Sequence, residues 1–316
     1  MSDSQTLSAR AGACVRQGLT KGARTTLWLL KFIIPISLGM MFLQQLGVLA
    51  FISRKIGPAF HLVGLSGEAA LPFLAGALLN VYSGLAAVAQ LDFTGRELTI
   101  LCMMILISHN LPIEATVQHK SGSSGWRLVL LRLAMSAAGA LVLHLLMPPD
   151  AVAPAGGHAA AGDAALSWAA ALHKWFVETA WVTLKIALFA SGVMVLQQFL
   201  EEFRVMPVFS RILAPPLALL GLPGNTVFLW VVANTLGLAY GAGVLLEETR
   251  SGRLSKRDIE IVNRSIAVCH SLLEDTLLCV AVGASAFWIT LPRIALAAAV
   301  VWGYRLSTFR SNTKCG

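Results

Sequence analysis

Two short stretches place an imidazole and carboxylates inside apolar sequence. One is Cys269-His270-Ser271-Leu272-Leu273-Glu274-Asp275, within SIAVCHSLLEDTLLCVAVGA; the other is Ser108-His109-Asn110-Leu111-Pro112-Ile113-Glu114. In each, a histidine precedes an acid by five residues, and the histidines are 270 − 109 = 161 apart. Such groups can hold a proton, bind a divalent cation or hydrogen-bond a polar solute. The structural alternative is an interhelical polar pair, worth only about 1 kcal/mol inside a membrane. His270 and Glu274 are four apart, which would stack them on one helical turn and make them the pair for a metal, if one binds. No nucleotide-binding loop, serine-nucleophile motif or HExxH signature is present, so the pattern points away from an enzyme.

The setting of these groups defines the class. Of 316 residues, 56% are hydrophobic and 13% charged, against about 25% charged in soluble domains. Several apolar runs reach the roughly 20 residues needed to cross a bilayer. The expected fold is an all-α, polytopic transmembrane bundle, in which ionisable residues at membrane depth are candidate functional sites. The net charge of +8 is gathered near Arg10–Arg24, Arg250–Arg257 and Arg305–Lys314. The positive-inside rule accounts for that distribution, so the lipid bilayer is the expected partner and nucleic acid is not. Five cysteines show no metal-binding spacing.

The chain reads as one unit written twice. Residues 1–24 are a basic cytosolic flank, 25–147 a first repeat, 148–173 an extracytoplasmic linker free of Lys and Arg until Arg/Lys-bearing sequence resumes, 174–308 a second repeat, and 309–316 a cytosolic tail. Four landmarks recur in order. Gln44-Gln45 matches Gln197-Gln198 (197 − 44 = 153), and Gly64-Leu-Ser-Gly67 matches Gly221-Leu-Pro-Gly224 (224 − 67 = 157). Apolar runs broken at Asn80 and at Asn234 follow, and then the two histidine stretches. Gly, Asn and Pro in mid-membrane predict broken or re-entrant helices, tolerated only where buried in protein or lining a cavity.

Lys/Arg asymmetry puts equivalent loops of the two repeats on opposite sides. Three crossings and one re-entrant hairpin per repeat then give inverted topology, both termini in the cytosol, and a multi-pass protein of the bacterial inner membrane. Arg54-Lys55 would lie outside, against the rule.

The runs Gly221-Leu-Pro-Gly224-Asn225, Asn234–Glu248 and Asn263-Arg264-Ser-Ile-Ala-Val-Cys269-His270-Ser271-Leu-Leu-Glu274-Asp275 resemble the nucleoside-recognition, or Gate, family of bacterial membrane proteins. That family is similar to gate regions of concentrative nucleoside transporters, of the bacterial ferrous-iron transporter and of spore maturation membrane proteins. The resemblance implies a secondary-type transporter of a small polar, nucleoside-like solute. A divalent metal permease and a non-transporting assembly or signalling component are the alternatives it leaves open. Inverted repeats with broken helices place the site at the repeat interface near the midplane. The candidate site residues are His270, Glu274, Asp275, His109, Asn110, Glu114, Gln44, Gln197, Asn234 and Asn80. No cofactor is expected beyond a coupling cation, H+ or Na+. The expected partners are a small molecule or ion as substrate and, as an open alternative, a second copy of the chain.

Overall fold

The computed structural model describes residues 7–149, 167–235, 245–250, 252 and 254–312. Most of the 148–173 linker, Gly237 to Tyr240 in the second break and the last residues of the tail lie outside them. The described residues form helices and turns with no strand. Five helical stretches are long and apolar enough to cross a membrane: 7–45, 95–120, 125–146, 168–202 and 286–309.

The first half runs α1 (Leu7–Gln45), α2 (Val48–His61), a 3-10 turn (Gly67–Ala69), α3 (Ala70–Leu78), α4 (Val81–Val88), α5 (Gly95–Ser108), α6 (Leu111–Lys120) and α7 (Gly125–Leu146). The second runs α8 (Trp168–Glu202), α9 (Met206–Leu219), a 3-10 turn (Gly224–Thr226), α10 (Val227–Thr235), α11 (Lys256–Val268), α12 (Glu274–Ala281) and α13 (Ala286–Asn312). Residues 245–250 are also helical.

The repeat is visible in backbone detail. Gly47 and Arg204, both left-handed, stand 157 apart, as do Gly64 and Gly221. The N-termini of α5 and α11 carry the same device 161 residues apart. Thr94 and Ser255 each accept from the amide three residues on, and Glu97 and Asp258 each reach back to the cap amide. These reciprocal bonds satisfy two of the amides a helix start leaves unpaired.

The halves are inverted. α1 and α8 pair antiparallel, from Arg10–Glu202 at 2.8 Å to Thr179–Ser37 at 3.2 Å and the Phe42–Trp168 ring contact. Gly18 and Gly22 let the backbones touch: a Cβ at Gly18 would sit 2.4 Å from the Val195 Cα, and one at Gly22 2.6 Å from the Ser191 Cα. Four-residue spacing of small residues is the usual means of close helix approach in lipid. The broken helices are antiparallel too. Gln118 Nε2 donates to the Asn263 carbonyl (3.1 Å), His109 meets His270, and the Ser285 amide donates to Thr99 Oγ1 (3.1 Å). A pseudo-twofold axis therefore passes between the two histidines.

One sequence expectation changes, and two segments gain definition. Residues 7–24 are helical and continuous with the rest of α1, held by the glycine contacts with α8 and by buried Cys14. Arg54-Lys55 lie within the helix α2, with Gly57 and Pro58 also inside it. The Gln44/Gln197 match is one helical turn out of register. The ends of α1 and α8 differ by 202 − 45 = 157, so the counterpart of Gln197 is Met40.

Candidate functional site

Each half interrupts a membrane helix at its histidine. α5 ends at Ser108, His109 is extended, Asn110 is left-handed (φ 53°), and α6 restarts with Pro112 in its first turn. α11 ends at Val268, Cys269 is extended, Ser271 is left-handed (φ 49°), and α12 begins at Glu274. The amides freed by the breaks are caught identically. Asn110 N donates to the Gly76 carbonyl (3.0 Å), and Ser271 N to the Ala233 carbonyl (3.2 Å). Gly76 and Ala233 are 157 apart, so α3 and α10 brace the two breaks in the same way. Buried backbone groups at membrane depth must be paired like this.

The breaks bring the side chains together. His109 Nε2 lies 3.2 Å from His270 Nε2, 3.2 Å from Asp275 Oδ2 and 3.3 Å from Glu114 Oε1. His270 Nε2 is 3.3 Å from Glu114 Oε2. All four residues are buried. Each imidazole is oriented by its other nitrogen: His109 Nδ1 faces the Ile105 carbonyl at 3.2 Å, and His270 Nδ1 the Ile266 carbonyl at 2.8 Å. A carbonyl only accepts, so Nδ1 carries the proton and Nε2 faces the cluster as a donor-free nitrogen when the ring is neutral.

Two buried arginines lie beside the cluster, Arg132 on α7 and Arg293 on α13, both 0% exposed and 293 − 132 = 161 apart. Arg132 Nη1 donates to Glu114 Oε2 (2.5 Å), Nε to the Ile107 carbonyl (2.6 Å) and Nη2 to the His109 carbonyl (2.7 Å). It thus ties the first break and neutralises its acid. Arg293 Nη2 donates to Thr276 Oγ1 (2.8 Å) and the guanidinium lies against the Cys269 thiol, while its Nε and Nη1 make no hydrogen bond among the described residues. The sequence reading passed over both arginines because each sits singly in a long apolar run. Their shared 161 offset with the histidines was the available signal.

Glu274 accepts from Tyr82 Oη at 2.9 Å, with Gln197 beside it and His109 nearby. His270 and Glu274 are not stacked on a helical turn, because the left-handed Ser271 lies between them. The expected His270/Glu274 metal pair is therefore corrected: the atoms that converge are those of His109, His270 and Asp275, all within 4.8 Å of one another. Gln197 otherwise donates to the Thr235 carbonyl (3.3 Å).

The remaining candidates serve the backbone or lie elsewhere. Asn80 caps α4, accepting from Ser83 N at 2.9 Å. The Asn234 carbonyl accepts from Leu273 N (3.2 Å), and its side-chain amide donates to the Trp230 carbonyl (2.9 Å). Asn110 contributes its left-handed turn. Gln44 is exposed at the end of α1, away from the cluster.

Comparison with known proteins places this arrangement. The Gate family, described as nucleoside recognition, matches residues 26–121, which include α2 to α6 and the first break. Over 281 residues the chain is 35% identical to the "Uncharacterized membrane protein YvoD" of Bacillus subtilis (strain 168), spanning 89% of this chain and 90% of that one. No solved structure matches. With a Gate match over the first break, the same break repeated in the second half and a membrane-protein relative along nearly its whole length, the chain belongs to the nucleoside-recognition Gate family of multi-pass membrane proteins.

Proposed function

We propose that the protein is a secondary-type transporter of a small polar solute, with His109, His270, Glu114 and Asp275 as its substrate or ion site. One observation carries the reading: the two histidines come from the same point of two inverted units and meet at 3.2 Å. Ionisable groups buried at membrane depth, on the axis between inverted repeats with broken helices, are the arrangement on which alternating access turns. Glu274, Tyr82 and Gln197 form the adjoining polar wall. The family description makes a nucleoside the first solute to try. The proposed orientation has both termini in the cytosol.

A second reading has its own support. The side chains of the four cluster residues are only 1–7% exposed. A closed centre of that kind suits an assembly component in which the cluster locks two halves together.

Uptake of labelled nucleosides into proteoliposomes separates the two, comparing wild type with Asp275→Asn. The amide keeps shape and hydrogen bonds but removes the charge. Transport predicts uptake by the wild type and its loss in a variant that stays folded. No uptake of any nucleoside by the wild type, with the variant keeping full function in cells, rejects transport in favour of the locking role.

A further inference from the structure

We infer that His109, His270 and Asp275 form a binding site for one divalent first-row transition cation of the Zn2+ or Fe2+ kind. The inference does not rest on the transport reading, since a locked assembly could hold the ion as well as a transporter could.

The geometry of the facing atoms is the first argument. Around a cation with ligand bonds of about 2.0–2.1 Å, tetrahedral ligand atoms stand roughly 3.3–3.4 Å apart. The two edges at His109 match, since its Nε2 is 3.2 Å from both His270 Nε2 and Asp275 Oδ2; the third edge, bounded at 4.8 Å, closes by a small side-chain rotation when an ion is bound. Three protein ligands leave a coordination position open, as in sites that exchange or activate a ligand rather than merely staple a fold.

The proton inventory is the second argument. Both Nδ1 atoms face backbone carbonyls, so both neutral rings direct Nε2 lone pairs at each other. Two lone pairs at 3.2 Å repel unless something positive lies between them. A single proton on one Nε2 points along one line. It serves His270, Asp275 or Glu114 but not all three. A cation serves every convergent atom at once. The Nδ1–H to carbonyl bonds are also the outer-shell contacts that hold metal-binding imidazoles in place.

Charge is the third. Glu114 is neutralised by Arg132. Asp275 is equally buried, yet its side-chain partner among the described residues is His109, while Arg293 is turned to Thr276. A buried carboxylate needs a positive partner, and the proposed ion supplies it. Two imidazoles with one carboxylate select borderline transition ions over Mg2+ and Ca2+, which prefer all-oxygen sets.

Co2+ titration of the purified full-length protein in detergent, followed by visible absorption, tests the site. The expected result is one equivalent of Co2+ giving the intense d–d bands of a low-coordinate, nitrogen-containing site, displaced by Zn2+. His270→Gln and Asp275→Asn should each weaken binding by more than the roughly 10–100-fold of an outer-shell change. Monodispersity and thermal unfolding confirm that the variants are folded, and the wild-type spectrum needs no variant at all. Absence of a stoichiometric band in the wild type overturns the inference. So does a band that persists in both folded variants, which would place the metal on one of the five other histidines instead. Absence of nucleoside uptake by the wild type, with the band intact, would count against the transport reading alone.

Discussion

Arg132 and Arg293 hold the same place in the two halves, and only one of them is satisfied. Arg132 spends three nitrogens on Glu114 and on the carbonyls of Ile107 and His109. Arg293 donates to Thr276 and lies against the Cys269 thiol, and no carboxylate pairs with it among the described residues. The acids differ in the same sense, since Glu114 is ion-paired to its own half's arginine and Asp275, 161 residues later, is not. Backbone features repeat closely across the axis, among them the capping boxes, the left-handed residues after each histidine and the amide-to-carbonyl braces. Duplication has kept the frame of the break, and divergence has redistributed its charge. The side chains on which the halves disagree are therefore the ones to test.

The largest expected effect comes from the arginines themselves. Arg132→Met leaves Glu114 buried without its cation and two carbonyls without a donor. Removing one member of a buried ion pair costs about 3–5 kcal/mol. Arg293→Met removes two donors that are buried without partners, a burden of roughly 1–3 kcal/mol, and is expected to be neutral or mildly stabilising. Thermal unfolding in detergent should show a large drop for Arg132→Met and little or none for Arg293→Met. Equal losses would mean that Arg293 has a partner as strong as Glu114, and the asymmetry would be gone.

The second test uses a position where the halves differ in kind. Glu274 corresponds to Ile113 at the 161 offset, and Ile113 is 64% exposed. Only the second half has a carboxylate here, and Tyr82 of the first half is its donor. Tyr82→Phe should cost about 1.5–3 kcal/mol, the range for a hydrogen bond to a charged group. In Glu274→Gln the same change should cost less, and the difference is the coupling energy of a double-mutant cycle. A coupling near zero would show that Tyr82 and Glu274 are neighbours without being partners.

Much of this was legible in the sequence, because the readable signals were those with a fixed physical meaning. An imidazole in an apolar run, proline and asparagine at mid-membrane, and a 161-residue echo located the breaks and paired His109 with His270. The Gln-Gln match failed for an equally physical reason. A shift of four residues is about one helical turn and keeps side chains on the same face. Sequence similarity therefore could not separate an offset of 153 from the true 157, and only the ends of α1 and α8 did. The stacking of Glu274 under His270 failed because Ser271 turns left-handed, a conformation that serine does not announce. Arg132 and Arg293 were visible letters whose importance lay in packing: a single cation in a greasy helix has no meaning until its partner is placed.

The smallest expected effect concerns that left-handed residue. Asn110 and Ser271 do the same work, turning the chain at the point where their own amides reach the carbonyls of α3 and α10. For most L-residues the left-handed region costs roughly 1–2 kcal/mol, and asparagine bears it better than serine because its side chain can bond locally. Glycine pays no such steric cost there but loses more backbone entropy on folding, about 0.5–1 kcal/mol against alanine. The two terms nearly cancel at Asn110, so Asn110→Gly should leave the midpoint unchanged or slightly lower. At Ser271 the steric relief is larger, and Ser271→Gly should raise stability by up to about 1 kcal/mol. The difference between the two midpoints is the quantity to measure, since detergent and lipid act on both variants alike. If Asn110→Gly gains as much as Ser271→Gly, the two breaks are energetically equivalent, and the asymmetry between the halves is confined to their charges.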